Sequence, residues 1–109
     1  MQFGNIIQEA REKAELNQKQ LAACIIKEDG KHISAPYLND IERNRRTPSS
    51  DHMIEQFSKV LKISPELLYY AAGKIPPWAY DYRVNEECVI AAFEAFKLKL
   101  YNMQCTLKF

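Results

Sequence analysis

Glycine and cysteine are both scarce in this sequence, with three of each among 109 residues. The three glycines form no loop that could cradle a phosphate, and no nucleophile–base–acid set or carboxylate dyad is present, so we expect no enzyme. The cysteines, Cys24, Cys88 and Cys105, share no metal-type spacing with each other or with His32 and His52. We therefore predict no metal, no other cofactor and a reduced, cytoplasmic protein in which Cys24 belongs to the core.

Long apolar runs and an excess of charge of one sign are also missing. No run approaches the length of a membrane span, and the first five residues are neither basic nor strongly apolar, so we predict no membrane association and no signal peptide. Residues 1–74 carry eleven Lys or Arg against ten Asp or Glu, and residues 75–109 carry four of each. A net charge of +1 excludes a global basic field, so any nucleic-acid binding must depend on charges placed locally.

Apolar residues recur at helical spacing along most of the chain, whereas strand-like alternation, repeats and low-complexity segments are absent, which predicts an all-α fold. Six helices are predicted. The first covers residues 5–14, the next four start near residues 18, 34, 50 and 65, and the last runs from residue 85 to about residue 104. The inner face of the fifth helix is predicted to contain Leu67, Leu68, Tyr70 and Ala71.

The polar stretch at residues 26–32 separates the second and third predicted helices. Asp29-Gly30 within this stretch is a strong turn signal. The stretch is either a simple extended loop or a small hairpin that pairs Ile26 with Ile33, and we favour the simple loop. Pro76-Pro77 marks a later interruption, because consecutive prolines exclude a helix there.

Residues 33–48 combine a small apolar face with a polar face that is rich in arginine. Ser34 is a good N-cap, and Pro36 is tolerated in the first helical turn. Leu38 and Ile41 are three residues apart and therefore share the buried face. The opposite arc carries Pro36, Asn39, Asp40 and Arg43, and the end of the helix carries Arg45 and Arg46. Such a short helix, with a polar face that ends in three arginines, suits insertion into a DNA groove.

Several short segments, taken in their order along the chain, resemble the pattern of the Cro/phage-repressor (Xre-like) family of helix-turn-helix proteins. They are Leu16-Asn17-Gln18, Leu21-Ala22, Ser34, Tyr37-Leu38, Ile41-Glu42-Arg43, Arg46-Thr47-Pro48-Ser49 and Leu67-Leu68. The similarity covers residues 3–73. It implies a five-helix DNA-binding domain, which we place at residues 1–75, with a C-terminal helical extension at residues 76–109. It also implies that the third helix enters the major groove, as part of a symmetric dimer on a palindromic operator.

The resemblance further implies roles for individual residues. Arg11 and Glu42 match a pair that joins the first helix to the third helix in such repressors. The positions at which relatives place base-contacting side chains are Ala35, Pro36, Asn39, Asp40 and Arg43. The positions implied for contacts with DNA phosphates are Gln18, Lys19, Ser34, Tyr37, Arg45 and Arg46.

The chain departs from the family pattern around the third helix. Residues 26–32 replace the usual tight glycine turn, and their Lys27, Lys31 and His32 either reach the DNA backbone or are simply solvated. Asn44 stands where relatives usually have glycine, which asparagine can replace in a left-handed conformation.

Two departures affect base readout directly. Ala35 and Pro36 offer no hydrogen bonds and can only touch a thymine methyl group. Asp40 repels phosphate unless it accepts a hydrogen bond from cytosine or pairs with Arg43.

The last predicted helix carries an apolar seam with alternating spacings of four and three, which is typical of helices that pack together. The seam residues are Val89, Phe93, Phe96, Leu100, Met103 and Leu107. So large an apolar surface must be covered, either by a second copy of the chain or by the chain's own domain. We expect the seam to form or complete a two-fold dimer contact.

Together these features predict a sequence-specific DNA-binding transcriptional regulator, a homodimeric repressor with double-stranded DNA as its partner. The alternative is a protein-interaction module of the same fold, antitoxin-like or anti-regulator, that uses its C-terminal helix to bind a partner protein. The modest charge and the poor hydrogen-bonding capacity of Ala35 and Pro36 favour that alternative. The operator, the regulated genes and the choice between repression and activation are not readable from the sequence.

Overall fold

Helices form nearly all the regular structure of the chain, for which a computed structural model describes residues 1–48 and 50–107, with side chains as far as residue 103. The elements are α1 (Phe3–Lys13), α2 (Gln18–Cys24), α3 (Ala35–Glu42), α4 (Asp51–Leu61), α5 (Pro65–Ala71), a 3₁₀ turn (Pro77–Ala79) and α6 (Glu86–Leu107). The only β-pairing among the described residues is one isolated bridge, so the predicted all-α class, five helices and an extra C-terminal helix, is confirmed. Ser49 and the side chains of Cys105 and Leu107 lie outside the described part.

Side-chain caps set where α2 and α3 begin. Asn17 Oδ1 accepts from the backbone N–H of Gln20 at 2.7 Å, and Gln20 Oε1 accepts from the backbone N–H of Asn17 at 2.8 Å. This reciprocal capping box includes the predicted N-cap and adds Gln20, which sequence reasoning missed. Ser34 Oγ accepts from the backbone N–H of Tyr37 at 3.2 Å and caps α3. Because the caps satisfy amides that no helical carbonyl reaches, they fix the start of both helices.

The first five helices, α1 through α5, share one hydrophobic core. Its buried side chains are Phe3, Ile7, Leu21, Ala22, Ile25, Ile33, Leu38, Ile41, Met53, Ile54, Phe57, Leu68 and Tyr69. The Phe3 and Phe57 rings meet edge to face, with centroids 6.1 Å apart, and thereby join α1 to α4. The core thus lies directly behind the apolar face of α3.

Three predicted core positions, on α2 and α5, are wrong. Cys24 is exposed, because α2 turns Leu21, Ala22 and Ile25 inward and Cys24 falls outside that arc.

In α5 the buried aromatic residue is Tyr69, whereas Tyr70 is half exposed and Leu67 is also exposed. Tyr69 is favoured because its hydroxyl donates to Glu55 Oε1 at 2.9 Å, so that its polar end is satisfied inside the fold.

The stretch between α2 and α3 is a small hairpin, so the favoured interpretation as a simple loop is wrong. Ile26 pairs with His32 in an antiparallel bridge, and the Lys27 N–H donates to the Lys31 carbonyl oxygen at 2.8 Å. The predicted alternative, a hairpin that pairs Ile26 with Ile33, is also displaced by one residue. Ile26 faces His32, and Ile33 belongs to the core.

The chain divides into two compact units, Met1–Ala79 and Tyr80–Phe109. The first unit contains α1 to α5 and the 3₁₀ turn, and the second contains α6. The domain boundary placed between residues 75 and 76 stays a prediction. Among the described residues, no helix combines the length and the apolar character that crossing a membrane requires.

α1 approaches the C-terminal end of α3 so closely that glycine is required at position 4. A Cβ atom on Gly4 would lie 2.2 Å from the carbonyl oxygen of Ile41 and 2.6 Å from that of Glu42. The Gly4 N–H donates to Asn44 Oδ1 at 2.8 Å, and Asn44 itself has a left-handed backbone with φ of 60°. Backbone oxygens cannot turn aside as a flexible side chain can, so a larger residue must push the two helices apart.

Gly4→Ala should therefore destabilise the protein by about 1–3 kcal/mol through overpacking. Helix propensity alone predicts the opposite sign, a gain of up to about 1 kcal/mol for alanine. Urea denaturation followed by circular dichroism measures the difference. Glu9→Ala, an exposed position on the same helix, is the control and should change stability by less than about 0.5 kcal/mol. An alanine variant as stable as the wild type would show that α1 has room to move.

Candidate nucleic-acid interface

α3 presents a polar surface because its apolar side chains point into the core. Leu38 and Ile41 are fully buried, whereas Pro36 and Arg43 are exposed and Asn39 is half-buried. The helix has only eight residues, too few for a stable isolated helix in water. Its position is therefore determined by the segments around it.

A buried ion pair attaches the C-terminal end of α3 to α1. Arg11 Nε donates to Glu42 Oε2 at 2.7 Å and Arg11 Nη2 donates to Glu42 Oε1 at 3.0 Å, a bidentate arrangement. Glu42 is only 4% exposed. Arg11 Nη1 also donates to the Leu16 carbonyl oxygen at 2.9 Å, and the hydrogen bond to Glu42 raises the pKa of Arg11. The two residues that the resemblance paired are thus in direct contact, and they join α1, the connection to α2, and α3.

Gln18 extends this contact to the polar face of α3. Its Nε2 donates to Glu42 Oε1 and to Asn39 Oδ1, both at 3.1 Å. Asn39 Oδ1 also lies 3.4 Å from Arg43 Nε. A continuous chain of polar contacts therefore runs from Arg11 to Arg43. The open polar cleft around it, of about 550 Å³, is lined by Asn5, Gln8, Arg11, Gln18, Asn39, Glu42, Arg43, Asn44 and Arg45.

Asp40 orients the two arginines that follow α3. Its carboxylate lies 3.5 Å from Arg45 Nη1 and 3.8 Å from Arg46 Nε. Its backbone oxygen accepts from the N–H groups of the same two residues, at 2.9 and 3.3 Å. Of the two arrangements considered for Asp40, the structure shows neither a pair with Arg43 nor a free carboxylate, because Arg43 lies one helical turn after Asn39 and contacts that side chain. Both arginines remain 63% exposed and are available to an anion.

The remaining sequence-predicted residues lie at the start of α3 and on α2. The Arg46 guanidinium lies over the Tyr37 ring, 5.8 Å from its centroid, so a residue that follows α3 reaches back to its first turn. Ser34 is exposed beside them and uses its hydroxyl oxygen as the helix cap. Lys19 is exposed in the first turn of α2, and Ala35 is half-buried.

Sequence reasoning missed the partners of Asn44. Its Nδ2 donates to Asn5 Oδ1 at 2.8 Å and to Gln2 Oε1 at 3.0 Å, while its Oδ1 accepts from Gly4. The only signal in the sequence is a polar residue at a position where the family usually has glycine. That signal predicts a left-handed backbone, but it does not predict which helix the side chain reaches.

The described side chains include no group of three or more His, Cys, Asp or Glu that could hold a metal ion. Cys24 and Cys88 are exposed free thiols. His52 Nε2 lies 2.8 Å from the Ile26 carbonyl oxygen and so contacts the backbone of the hairpin.

This arrangement defines a helix-turn-helix domain: α2 and α3 are joined by a connection inside a five-helix core, and α3 has an exposed polar face. A family model described as helix-turn-helix matches residues 7–68, more than half of the chain. The chain belongs to this helix-turn-helix family, and the resemblance to the Cro/phage-repressor (Xre-like) group is confirmed.

Two curated relatives come from Mycobacterium tuberculosis. They are the uncharacterized HTH-type transcriptional regulators MT0491 (strain CDC 1551 / Oshkosh) and Rv0474 (strain ATCC 25618 / H37Rv), each 38% identical over 74 residues. The match covers 68% of this chain and 48% of each relative, so the chain spans about half the length of the curated relatives it matches. No solved structure matches the chain significantly.

Breaking the buried pair should destabilise the protein far more than breaking an exposed pair does. Arg11→Ala leaves the Glu42 carboxylate buried without its main partner, which should cost about 3 kcal/mol. A double-mutant cycle with Glu42→Ala should then give a coupling energy of about 2 kcal/mol from thermal or urea unfolding.

The matched control is the exposed pair of Lys74 and Asp51, whose Nζ and Oδ1 atoms are 2.6 Å apart. Its coupling energy should stay below about 1 kcal/mol, because water screens both charges. Equal coupling in the two pairs would mean that Arg11 and Glu42 behave as ordinary surface charges.

Proposed function

We propose that this protein is a sequence-specific DNA-binding transcriptional regulator, a homodimeric repressor that binds a palindromic operator. The observation that carries the proposal is the fixed polar face of α3, on which Asn39 and Arg43 are connected through Gln18 to the buried Glu42. A preorganised polar face of this kind loses little entropy when it enters a groove. The printed names of the relatives, HTH-type transcriptional regulators, support the same role. We propose no enzymatic activity for this protein.

Affinity is proposed to come from contacts with DNA phosphates at both ends of α3. Arg45 and Arg46 supply exposed charges that Asp40 holds in place at the C-terminal end. The phosphate contacts proposed at the other end and on α2 are Gln18, Lys19, Ser34 and Tyr37. Only Lys19, Arg45 and Arg46 among these contacts are charged, so about three phosphates are neutralised per chain and the dependence of affinity on salt should be moderate.

Base readout is proposed to depend mainly on Asn39 and Arg43. Because Asn39 Oδ1 already accepts from Gln18, its amide hydrogens are the group offered to a base, where a purine N7 can accept them. The Arg43 guanidinium can donate to the O6 and N7 atoms of guanine. Ala35 and Pro36 supply only apolar contact, which suits a thymine methyl group.

Arg46→Ala and Asn39→Ala should separate the two kinds of contact. Arg46→Ala should weaken binding to every duplex and reduce the slope of log affinity against log salt by up to about one unit. Asn39→Ala should keep the salt slope but lose base preference at one position of each half-site, a change of about 1–3 kcal/mol. Binding-site selection from random duplexes, followed by salt titration on the selected site, measures both effects.

Lys59→Ala removes an exposed charge from α4 and should change neither quantity. A wild-type protein that selects no motif would contradict the proposed function outright. If both variants lose affinity equally on all sequences, Asn39 is not a base-reading residue.

Dimerisation is proposed to use the seam on α6. The described seam residues are 41% to 54% exposed: Val89, Phe93, Phe96, Leu100 and Met103. Because about half of each side chain is already covered, covering the rest contributes roughly 1 kcal/mol per residue, and a pair of seams together can hold two chains. The half-sites proposed for the two α3 helices of the dimer are about 34 Å apart, one turn of DNA, as is general for helix-turn-helix dimers. A dimer that occupies a promoter excludes other proteins, so repression requires no further activity of the chain.

Phe93→Glu should convert the proposed dimer to a monomer and weaken binding to a palindromic duplex more than about tenfold. The matched control is Leu98→Glu, since Leu98 is 64% exposed on the same helix but lies on the side opposite the seam. Sedimentation equilibrium gives the oligomeric state of both variants. A full-length wild-type protein that sediments as a monomer at high micromolar concentration rules out the dimer.

A second candidate is a protein-interaction module of the same fold, antitoxin-like or anti-regulator. The observation that favours it is that the start of α3 offers Ala35 and Pro36, which cannot form side-chain hydrogen bonds, while the seam on α6 is exposed. The two candidates differ in a simple way. The module should select no DNA motif, and Phe93→Glu should abolish binding of a partner protein and leave self-association unaffected.

We further propose that residues 1–75 form the DNA-binding domain and residues 76–109 the extension that dimerises. The cytoplasm is the proposed location, because exposed free thiols such as Cys24 and Cys88 persist in a reducing compartment.

A further inference from the structure

We propose that the hairpin at residues 26–32 is a second DNA-contacting element, which binds a backbone phosphate beside the start of α3 through Lys27 and Lys31. The inference rests on the proposed function, because it requires that α3 enters a DNA groove. A tight glycine turn, usual at this place in the family, offers no such pair of charges. The hairpin therefore adds a contact that belongs to this chain.

The hairpin is internally ordered. The Lys27 N–H donates to the Lys31 carbonyl oxygen at 2.8 Å, and the Gly30 N–H donates to the Lys27 carbonyl oxygen at 3.0 Å. The Lys31 N–H donates to Asp29 Oδ1 at 2.9 Å and closes the turn. Gly30 has φ of 86°, which the turn requires and glycine adopts without strain. Because the hairpin is already formed, little conformational entropy is lost when a ligand binds to it.

Three contacts fix the hairpin on α4. The Ile26 N–H donates to Gln56 Oε1 at 3.1 Å, and the Ile26 carbonyl oxygen lies 2.8 Å from His52 Nε2. Ser50 Oγ donates to Glu28 Oε1 at the start of α4. Because α4 shares the core with α3, the hairpin keeps a constant position relative to the proposed recognition surface.

Lys27 and Lys31 occupy opposite backbone positions of the hairpin. Lys27 and Lys31 are paired by a backbone hydrogen bond, and like charges placed opposite each other on neighbouring strands are mutually destabilising. The acidic neighbours compensate only in part. Glu28 is hydrogen-bonded to Ser50, and Asp29 Oδ2 forms a long ion pair of 3.8 Å with Lys27 Nζ, whereas no described side chain forms an ion pair with Lys31. A phosphate between the lysines would relieve this repulsion, which is why the pair favours an anion.

The hairpin and the start of α3 border the same surface. One open cleft of about 630 Å³ is lined by Lys27, Glu28 and Asp29 of the hairpin and by Ser34 and Tyr37 at the start of α3, while Lys31 lies outside its lining. Ser34 and Tyr37 are proposed phosphate contacts, so a DNA strand that reaches them passes along the base of the hairpin. The ligand class is therefore the phosphodiester backbone, with no preference for a base.

Lys31→Glu tests the inference because stability and DNA binding should respond in opposite directions. The glutamate faces Lys27 and replaces a repulsion by an attraction, so the melting temperature should stay the same or rise. Affinity for the selected operator should fall by about tenfold or more at about 0.1 M salt, with a salt slope lower by about one unit. Lys59→Glu makes the same change of charge on α4 and should lower affinity less than about threefold.

Replacing single phosphates of the operator by neutral methylphosphonates locates the contact. One substitution beside the half-site should weaken the wild type but leave Lys31→Glu unaffected. If the wild type binds its operator and Lys31→Glu binds like Lys59→Glu, the hairpin inference is wrong while the proposed function stands. A wild type that binds no duplex overturns the proposed function and the hairpin inference with it.

Discussion

The buried carboxylate of Glu42 is the constraint on which the rest of this structure depends. A carboxylate that is 4% exposed must be paired, and its partners are two nitrogens of Arg11 and the amide of Gln18. Those donors come from α1 and α2, whereas Glu42 ends α3. Such a pair contributes little net stability, because desolvation cancels much of the attraction. Its main consequence is geometric, since three helices must keep one arrangement for the charge to stay satisfied.

A helix of eight residues takes its position from its attachments more than from its own hydrogen bonds. α3 is attached at its C-terminal end twice, through Glu42 and through the side chain of Asn44, which accepts from Gly4. Its start is set by the Ser34 cap. The side chains between these points have no freedom to shift along the helix axis, so any ligand of this face meets the same spacing each time.

Local patterns predicted the elements well, whereas the choice of partner depended on tertiary placement. The Asn17 cap and the helical spacing of apolar residues were sufficient for the order of the helices. Tyr69 and Tyr70 are indistinguishable by type, and the packing of α5, which buries Leu68 and Tyr69 and brings the Tyr69 hydroxyl to Glu55 on α4, decides which one is buried.

The partners of Asp40 were unpredictable for a related reason. Three arginines lie within its reach in sequence, and the backbone after α3 selects among them. The left-handed Asn44 reverses the chain, so that the N–H groups of Arg45 and Arg46 return to the Asp40 carbonyl oxygen and bring their side chains with them. The Asp40 carboxylate, placed beside these arginines, lowers the attraction of this face for phosphate. The phosphate backbone is the same in every DNA sequence, so this reduction affects all sequences equally. Under the proposed function, the binding that remains depends more on base contacts, so a nearly neutral chain with oriented arginines would favour discrimination between sequences over affinity for DNA in general.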